Sequence, residues 1–284
     1  MLLASAAIWR AVIAPRWTDR LPRGWSQSVR FAGVQTNAAS GSDTLPARDV
    51  LGLYDRSITI ASDSGRPDSV LLREALTIRD PVTGQTTFRY VTEALVDPRT
   101  GAHLDPRYRG EIAVFPRQVE KRVYRLRANY VNGVPLAFEG EDDVAGLPTY
   151  LFSYRGRGEY PQAFAGTPDS PGITLKAGQR LLCADDQFYL RIWVEPLTGE
   201  RVKVEEGCPS GDFVYDDSGR VVSAVDRWQG ASSGTGLLTR VEQVHAERFR
   251  YLVAAHLVPL LLLAGGMVST LVGWSPRRKR EVMA

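Results

Sequence analysis

Two periodicities divide the chain. Between residues 51 and 225, apolar side chains recur at every second position: Ile58 with Ile60, Leu76 with Ile78, Phe88 with Tyr90, and Leu190 with Ile192 and Val194 each share one face. That spacing is the mark of strands with one buried side. From residue 237 the period lengthens. Leu237, Leu238, Val241, Val244 and Phe249 fall on or near one side of a helix over 237–250, because positions three and four apart stack along a helical surface. Residues 251–274, YLVAAHLVPLLLLAGGMVSTLVGW, then carry no formal charge. At 1.5 Å per residue they reach about 36 Å, which crosses the apolar core of a bilayer with some tilt. A bend is expected at Pro259.

One recurring turn punctuates the strands. Asp80-Pro81-Val82-Thr83-Gly84, Asp97-Pro98-Arg99-Thr100-Gly101 and Glu195-Pro196-Leu197-Thr198-Gly199 share the pattern acid-Pro-x-Thr-Gly, and Asp216-Asp217-Ser218-Gly219 is a looser relative. The acid opens the turn as an acceptor, Pro presets φ, and Gly takes the left-handed position that closes a hairpin loop. These turns predict a mainly β, antiparallel, hairpin-rich domain, either a half-barrel or a sandwich, with one face buried and the other wet. Tyr150, Phe152 and Tyr154 form an aromatic stripe on a strand that follows an acidic loop over 139–143. Around the third turn, Val202 and Val204 continue the face of Leu190, Ile192 and Val194, while Tyr189, Arg191 and Trp193 take the opposite side.

The ends of the apolar rod fix a topology. Tyr251 and Trp274 stand where amphipathic rings favour the lipid–water boundary, and Arg277, Arg278, Lys279 and Arg280 follow at once. The positive-inside rule puts that basic end in the cytoplasm, so the chain before the rod is expected outside it. The N-terminal stretch MLLASAAIWRAVIAP is apolar but short, carries Arg10, and lacks a charged leader region. We read it as a signal anchor whose start is truncated or misassigned and whose Arg10 snorkels or faces a partner helix, with a cleaved signal or an interfacial helix as alternatives. Ala7 with Ala11, Gly265 with Ser269 and Gly266 with Thr270 are small residues four apart, a spacing that predicts close packing of the two apolar segments. The expected layout is an anchor over 1–17, a linker over 18–43, an extracytoplasmic β-domain over 44–236, an amphipathic helix over 237–250, a membrane helix over 251–274 and a cytoplasmic tail over 275–284, a double-pass protein of the cell membrane, or a single-pass one if the N-terminal segment is cleaved.

Composition narrows the function further. The net charge is +3, much of it in the tail, and no basic stripe interleaved with aromatics appears, so nucleic acid is not an expected partner. Cys183 and Cys208 flank the third hairpin. In an oxidising compartment they predict a disulfide, whose loop closure contributes roughly 3 kcal/mol. Neither belongs to a CxxC pair, and His103, His245 and His256 are scattered, which is not a metal-ligand pattern.

Candidate chemistry is thin. Gly230-Ala231-Ser232-Ser233-Gly234 formally matches the GxSxG nucleophile elbow, but His245 is too near along the same helix and His256 lies in the rod. A Gly/Ser turn accounts for it better. Glu139, Glu141, Asp142, Asp143, Asp185 and Asp186 lack calcium-loop spacing and read as solvated acids. His256, about a turn inside the rod, reads as a neutral side chain snorkelling to the interface. The expectation is a protein without catalytic residues, cofactor or metal. Its partners are membrane lipid together with another protein or a second copy through the membrane helices.

Three stretches carry a resemblance: Phe115-Pro116 with Glu120-Lys121-Arg122 and Tyr124, then FEGEDDVAGLPTYLF over 138–152, then WVEPLTGERVKVE over 193–205. In these the chain resembles the actinobacterial "porin PorA" domain family of envelope proteins. The resemblance implies an N-terminal helix, an extracytoplasmic β-domain and a C-terminal helix, and its name implies a channel. A transmembrane barrel needs strands of about ten residues with a lipid-facing apolar band, whereas these strands carry charges on their open faces. An anchored, non-enzymatic envelope protein that binds a lipid, glycan or protein partner, or serves as an accessory subunit, is therefore the leading expectation. A channel or an extracytoplasmic hydrolase is the alternative.

Overall fold

A computed structural model describes residues 9, 21, 24–37, 42–45, 50–63, 68–128, 131–160 and 175–273. The expected anchor over 1–17 apart from Trp9, the interface residue Trp274, and the basic run Arg277, Arg278, Lys279 and Arg280 lie outside the described residues. The domain is mainly β. Its strands are β1 (Ser26–Asn37), β2 (Val50–Asp63), β3 (Val70–Arg79), β4 (Thr86–Val96), β5 (Glu111–Ile112), β6 (Tyr124–Ala128), β7 (Val131–Val144), β8 (Leu147–Gly156), β9 (Arg180–Cys183), β10 (Phe188–Val194), β11 (Arg201–Tyr215) and β12 (Val221–Ala231). They form one sheet in the order β4-β3-β2-β1-β12-β11-β10-β8-β7-β6-β5, with β9 also pairing β11. Pairing is antiparallel except between β5 and β6.

The acid-Pro-x-Thr-Gly turns form as their chemistry dictates. Asp80 Oδ1 accepts from the N–H groups of Val82 and Thr83 at 2.8 and 2.7 Å, and Glu195 Oε2 accepts from those of Leu197 and Thr198 at 3.1 and 2.7 Å. Gly84, Gly101 and Gly199 take φ of 71°, 67° and 73°, the left-handed region that side chains resist. Gly199 is doubly fixed, because a Cβ there would lie 2.3 Å from the Pro116 carbonyl oxygen. The second turn does more than reverse the chain. Beyond it, His103 pairs with Val96 of β4 and Ala102 with Ile112 of β5, so one short segment ties the two ends of the sheet together.

A single core cluster then joins strands far apart in the order. It runs from Phe31, Tyr54 and Ile78 through Leu190, Ile192 and Val204 to Phe152, Leu136 and Leu126. Residues 115–124, 138–152 and 193–205 meet inside it: Phe115 lies 5.2 Å from Tyr124 and 5.1 Å from Phe152, ring centre to ring centre, Phe138 lies 5.8 Å from Phe152, and Val194 and Val204 belong to the same cluster.

Four expectations are corrected. The stretch expected as a linker over 18–43 contains β1, which sits between β2 and β12. Its alternation was diluted because the inward set of Trp25, Gln27, Val29 and Phe31 includes a polar residue. The acidic stretch over 139–143 is not a loop. β7 runs through it to a two-residue turn at Ala145 and Gly146, both at positive φ, the hairpin geometry that suits the strand twist. Val202 does not continue the face of Val204. The register of β10 against β11 slips between Trp193 and Val194, an extra residue in β11 of the kind that turns a side chain to the other face. Nor is the outer face wet throughout, since Trp193 and Val202 pack there with Val241 and Val244.

Those two valines belong to helix α1 (Gly234–Leu252). It passes through a π-helical turn, Val253–Leu257, into α2 (Val258–Gly273). The bend expected at Pro259 is thus preceded by a widened turn. Helix Gly234–Ser269 is long and apolar enough to cross a membrane, and only 11% of its apolar window is buried against the rest of the chain. A core helix of a soluble domain would be mostly covered.

Candidate functional site

The most elaborate polar arrangement among the described residues is the joint between α1 and the sheet. Arg240, Val244, Glu247, Arg248 and Tyr251 recur three or four apart, so they share one helical face. Each polar member meets the domain. Arg240 pairs with Glu200 and donates from Nε to the Arg201 carbonyl at 2.8 Å. Glu200 also accepts from Trp25 Nε1 at 2.6 Å and Gln27 Nε2 at 3.0 Å. Arg248 Nε stands 3.6 Å from Glu195 Oε1. Arg117 pairs with Glu247 at 2.8 Å, and Gln118 Nε2 donates to the Tyr251 hydroxyl at 2.8 Å. Arg240 and Glu200 are both buried. A buried pair is tolerable only when its remaining hydrogen-bonding groups are met, and here Trp25, Gln27 and the Arg201 carbonyl meet them.

A second charged group lies within the sheet. Arg56 donates to both Glu206 oxygens at 3.0 and 2.6 Å, and its Nε lies 3.4 Å from Glu74 Oε1. Beside it is a cavity of about 10 Å³ lined by Gln27, Val29, Arg56, Ile58, Arg201 and Val204, space for a single water.

The third group is a carboxyl pair. Asp212 and Asp226 are register partners across β11 and β12. Asp212, 3% exposed, accepts from the Tyr160 hydroxyl and from Trp228 Nε1, both at 2.8 Å. Gln35 Nε2 donates to Asp226 at 3.2 Å. Burial, and next the neighbouring Asp226 charge, hold the Asp212 carboxyl well above its usual range, and burial raises Asp226 as well. Two carboxyl groups so placed titrate as a unit and share a proton rather than both ionising.

The cysteines beside this pair are joined, with Cα atoms 5.8 Å apart across Cys183 and Cys208. They pin the joint between β9 and β10 onto β11. The two sulfurs and Asp212 lie close enough to suggest a metal site, but disulfide sulfurs offer no thiolate ligand.

The other sequence candidates are placed apart. Ser232 is buried, and its Oγ accepts the Val204 N–H at 3.1 Å as an extension of the sheet. His245 and His256 are exposed on the long helix. Four of the six acidic residues are individually engaged, Glu139 with Ser153, Glu141 with Lys121, Asp142 with Trp193 Nε1 at 2.7 Å, and Asp143 with the Gly146 N–H at 2.6 Å, while Asp185 and Asp186 lie in the short turn between β9 and β10. Tyr251, expected at the lipid boundary, is buried against Arg117 and Gln118. It marks where helix, domain and apolar rod meet.

Sequence reasoning missed Glu200, Glu206, Arg56, Arg240 and the Asp212–Asp226 pair. The available signal was charge at inward positions of otherwise regular alternation: Arg56 between Tyr54 and Ile58, and Glu74 between Leu72 and Leu76. Neither a protein-family model nor a curated protein matches the chain.

Proposed function

We propose that the chain is a non-enzymatic cell-envelope protein whose extracytoplasmic β-domain is held rigidly on a membrane-spanning helix. In this reading it acts as an accessory subunit, presenting its domain surface to another envelope protein. The observation that carries this is the joint at Arg240, Glu247, Arg248 and Tyr251, from which the helix continues into apolar residues. A tether would need only chain. A buried ionic clamp makes domain and helix move together, which matters when the height and orientation of the domain above the bilayer must be fixed.

The interior supports recognition at the surface. The inward side chains are closely packed, apolar and aromatic residues surrounding the paired Arg56–Glu206–Glu74 group and the hydrogen-bonded Asp212, whereas a channel barrel keeps an open polar lumen. The tie between β4 and β5 favours a closed, barrel-like sheet over a sandwich. The basic run Arg277–Arg280 sets the C-terminus in the cytoplasm by the positive-inside rule, and the segment carrying Trp9 supplies the second crossing. The resemblance to the "porin PorA" domain family supports the layout but not the conducting role.

Crosslinking in native membranes followed by mass measurement tests the reading. The expected result is a complex of fixed stoichiometry between this chain and a different envelope protein. Recovery of the single chain alone, or unitary conductance of the purified chain in planar bilayers, would contradict it.

A further inference from the structure

We infer that the widened helical turn before Pro259 is the docking point for the N-terminal segment, with the Trp9 indole as its occupant. The inference rests on the membrane reading above and adds how the two apolar segments are joined. Backbone accounting identifies the contact. In an α-helix the Ala254 carbonyl would accept from the Val258 N–H, four residues on. Here the Val258 N–H donates to the Val253 carbonyl instead. In the π register the donor for Ala254 would be residue 259, five residues on. That residue is Pro259, which has no N–H. The Ala254 carbonyl is therefore deprived of both helical donors, and Trp9 Nε1 donates to it at 3.1 Å.

The helix surface agrees with an occupant on this side. Pro259 and Gly266 are buried and Leu262 is half-buried, a stripe with steps of three and four residues. By contrast Leu257, Leu260 and Leu261 are 47%, 61% and 63% exposed. A carbonyl without a donor is tolerated poorly in lipid, where no water replaces it. The indole N–H, carried on an otherwise apolar ring, supplies that donor without bringing a charge into the bilayer. The same contact ties the N-terminal segment to the helix that the clamp fastens to the β-domain.

The full chain, labelled with ¹⁵N-tryptophan in lipid nanodiscs, tests this. Its six tryptophans give six indole signals, and Trp9→Phe identifies the one that belongs to Trp9. Pro259→Ala restores a donor at 259 and lets the helix close to the α register. The expected result is that the Trp9 indole proton exchanges with deuterium about tenfold faster in Pro259→Ala than in the natural chain, while the other five signals hold their positions and rates. Equal exchange of the Trp9 indole in both proteins would overturn the docking. Alkaline carbonate extraction of the natural chain runs alongside: release into the supernatant would refute the membrane reading, while the indole comparison still decides the contact.

Discussion

Asp212 and Asp226 place two carboxyl groups where one charge is easier to hold than two. Because both are raised in the folded state, the folded protein binds a proton more tightly than the unfolded chain does. Their contribution is therefore fully present below the usual Asp value of about 4 and is lost as pH rises through the folded-state value. Asp80 and Asp216, lowered by hydrogen bonds within their turns, act in the opposite sense, and what they add is lost as pH falls below about 4. Asp212→Asn keeps the shape and one acceptor oxygen, for the Trp228 indole, and turns its amide N–H toward the Tyr160 hydroxyl, which can accept, while removing one charge. Its melting temperature should decline less between pH 5 and pH 8 than that of the natural chain, and equal declines would refute the shared proton. Little of this site was legible in the sequence, because Asp226 lies fourteen positions beyond Asp212 and only the β11–β12 register brings them together. The turn acids were legible, since their partners lie two or three residues away.

Among the elements, α1 decides how the molecule behaves. Its apolar positions Val241 and Val244 follow the expected helical spacing and cover Trp193. The helix was readable for that reason. Its grip on the domain was not, because Arg240 looks like an ordinary polar-face residue until Glu200 is seen beneath it. Arg240→Met leaves that buried carboxylate with only neutral donors and should lower stability by about 3 kcal/mol, measured by denaturant titration in detergent. The double substitution Glu200→Gln/Arg240→Met should recover part of the loss. β1 was hidden for a related reason, since Gln27 serves the same carboxylate and its polarity interrupts the strand pattern. The disulfide was readable from its flanking of the third hairpin, although its role in fixing the β9–β10 joint depended on a strand too short to stand out.

At the scale of the whole molecule, the described residues form one tied sheet clamped to one long helix. Hairpin class and apolar rod were both apparent from periodicity, whereas the closing segment at Ala102 and His103 was not, being two isolated bridges. The central claim is that the β-domain and the C-terminal tail lie on opposite sides of a membrane. Single cysteines report it directly, because the natural pair is already bonded. Val82, 91% exposed at the tip of the first turn, is the natural probe of the domain, and Ala284 that of the tail. In intact cells a membrane-impermeant maleimide should label Val82→Cys fully and leave Ala284→Cys unlabelled until the cells are lysed. Labelling of Ala284→Cys before lysis, or protection of Val82→Cys until lysis, would contradict the account.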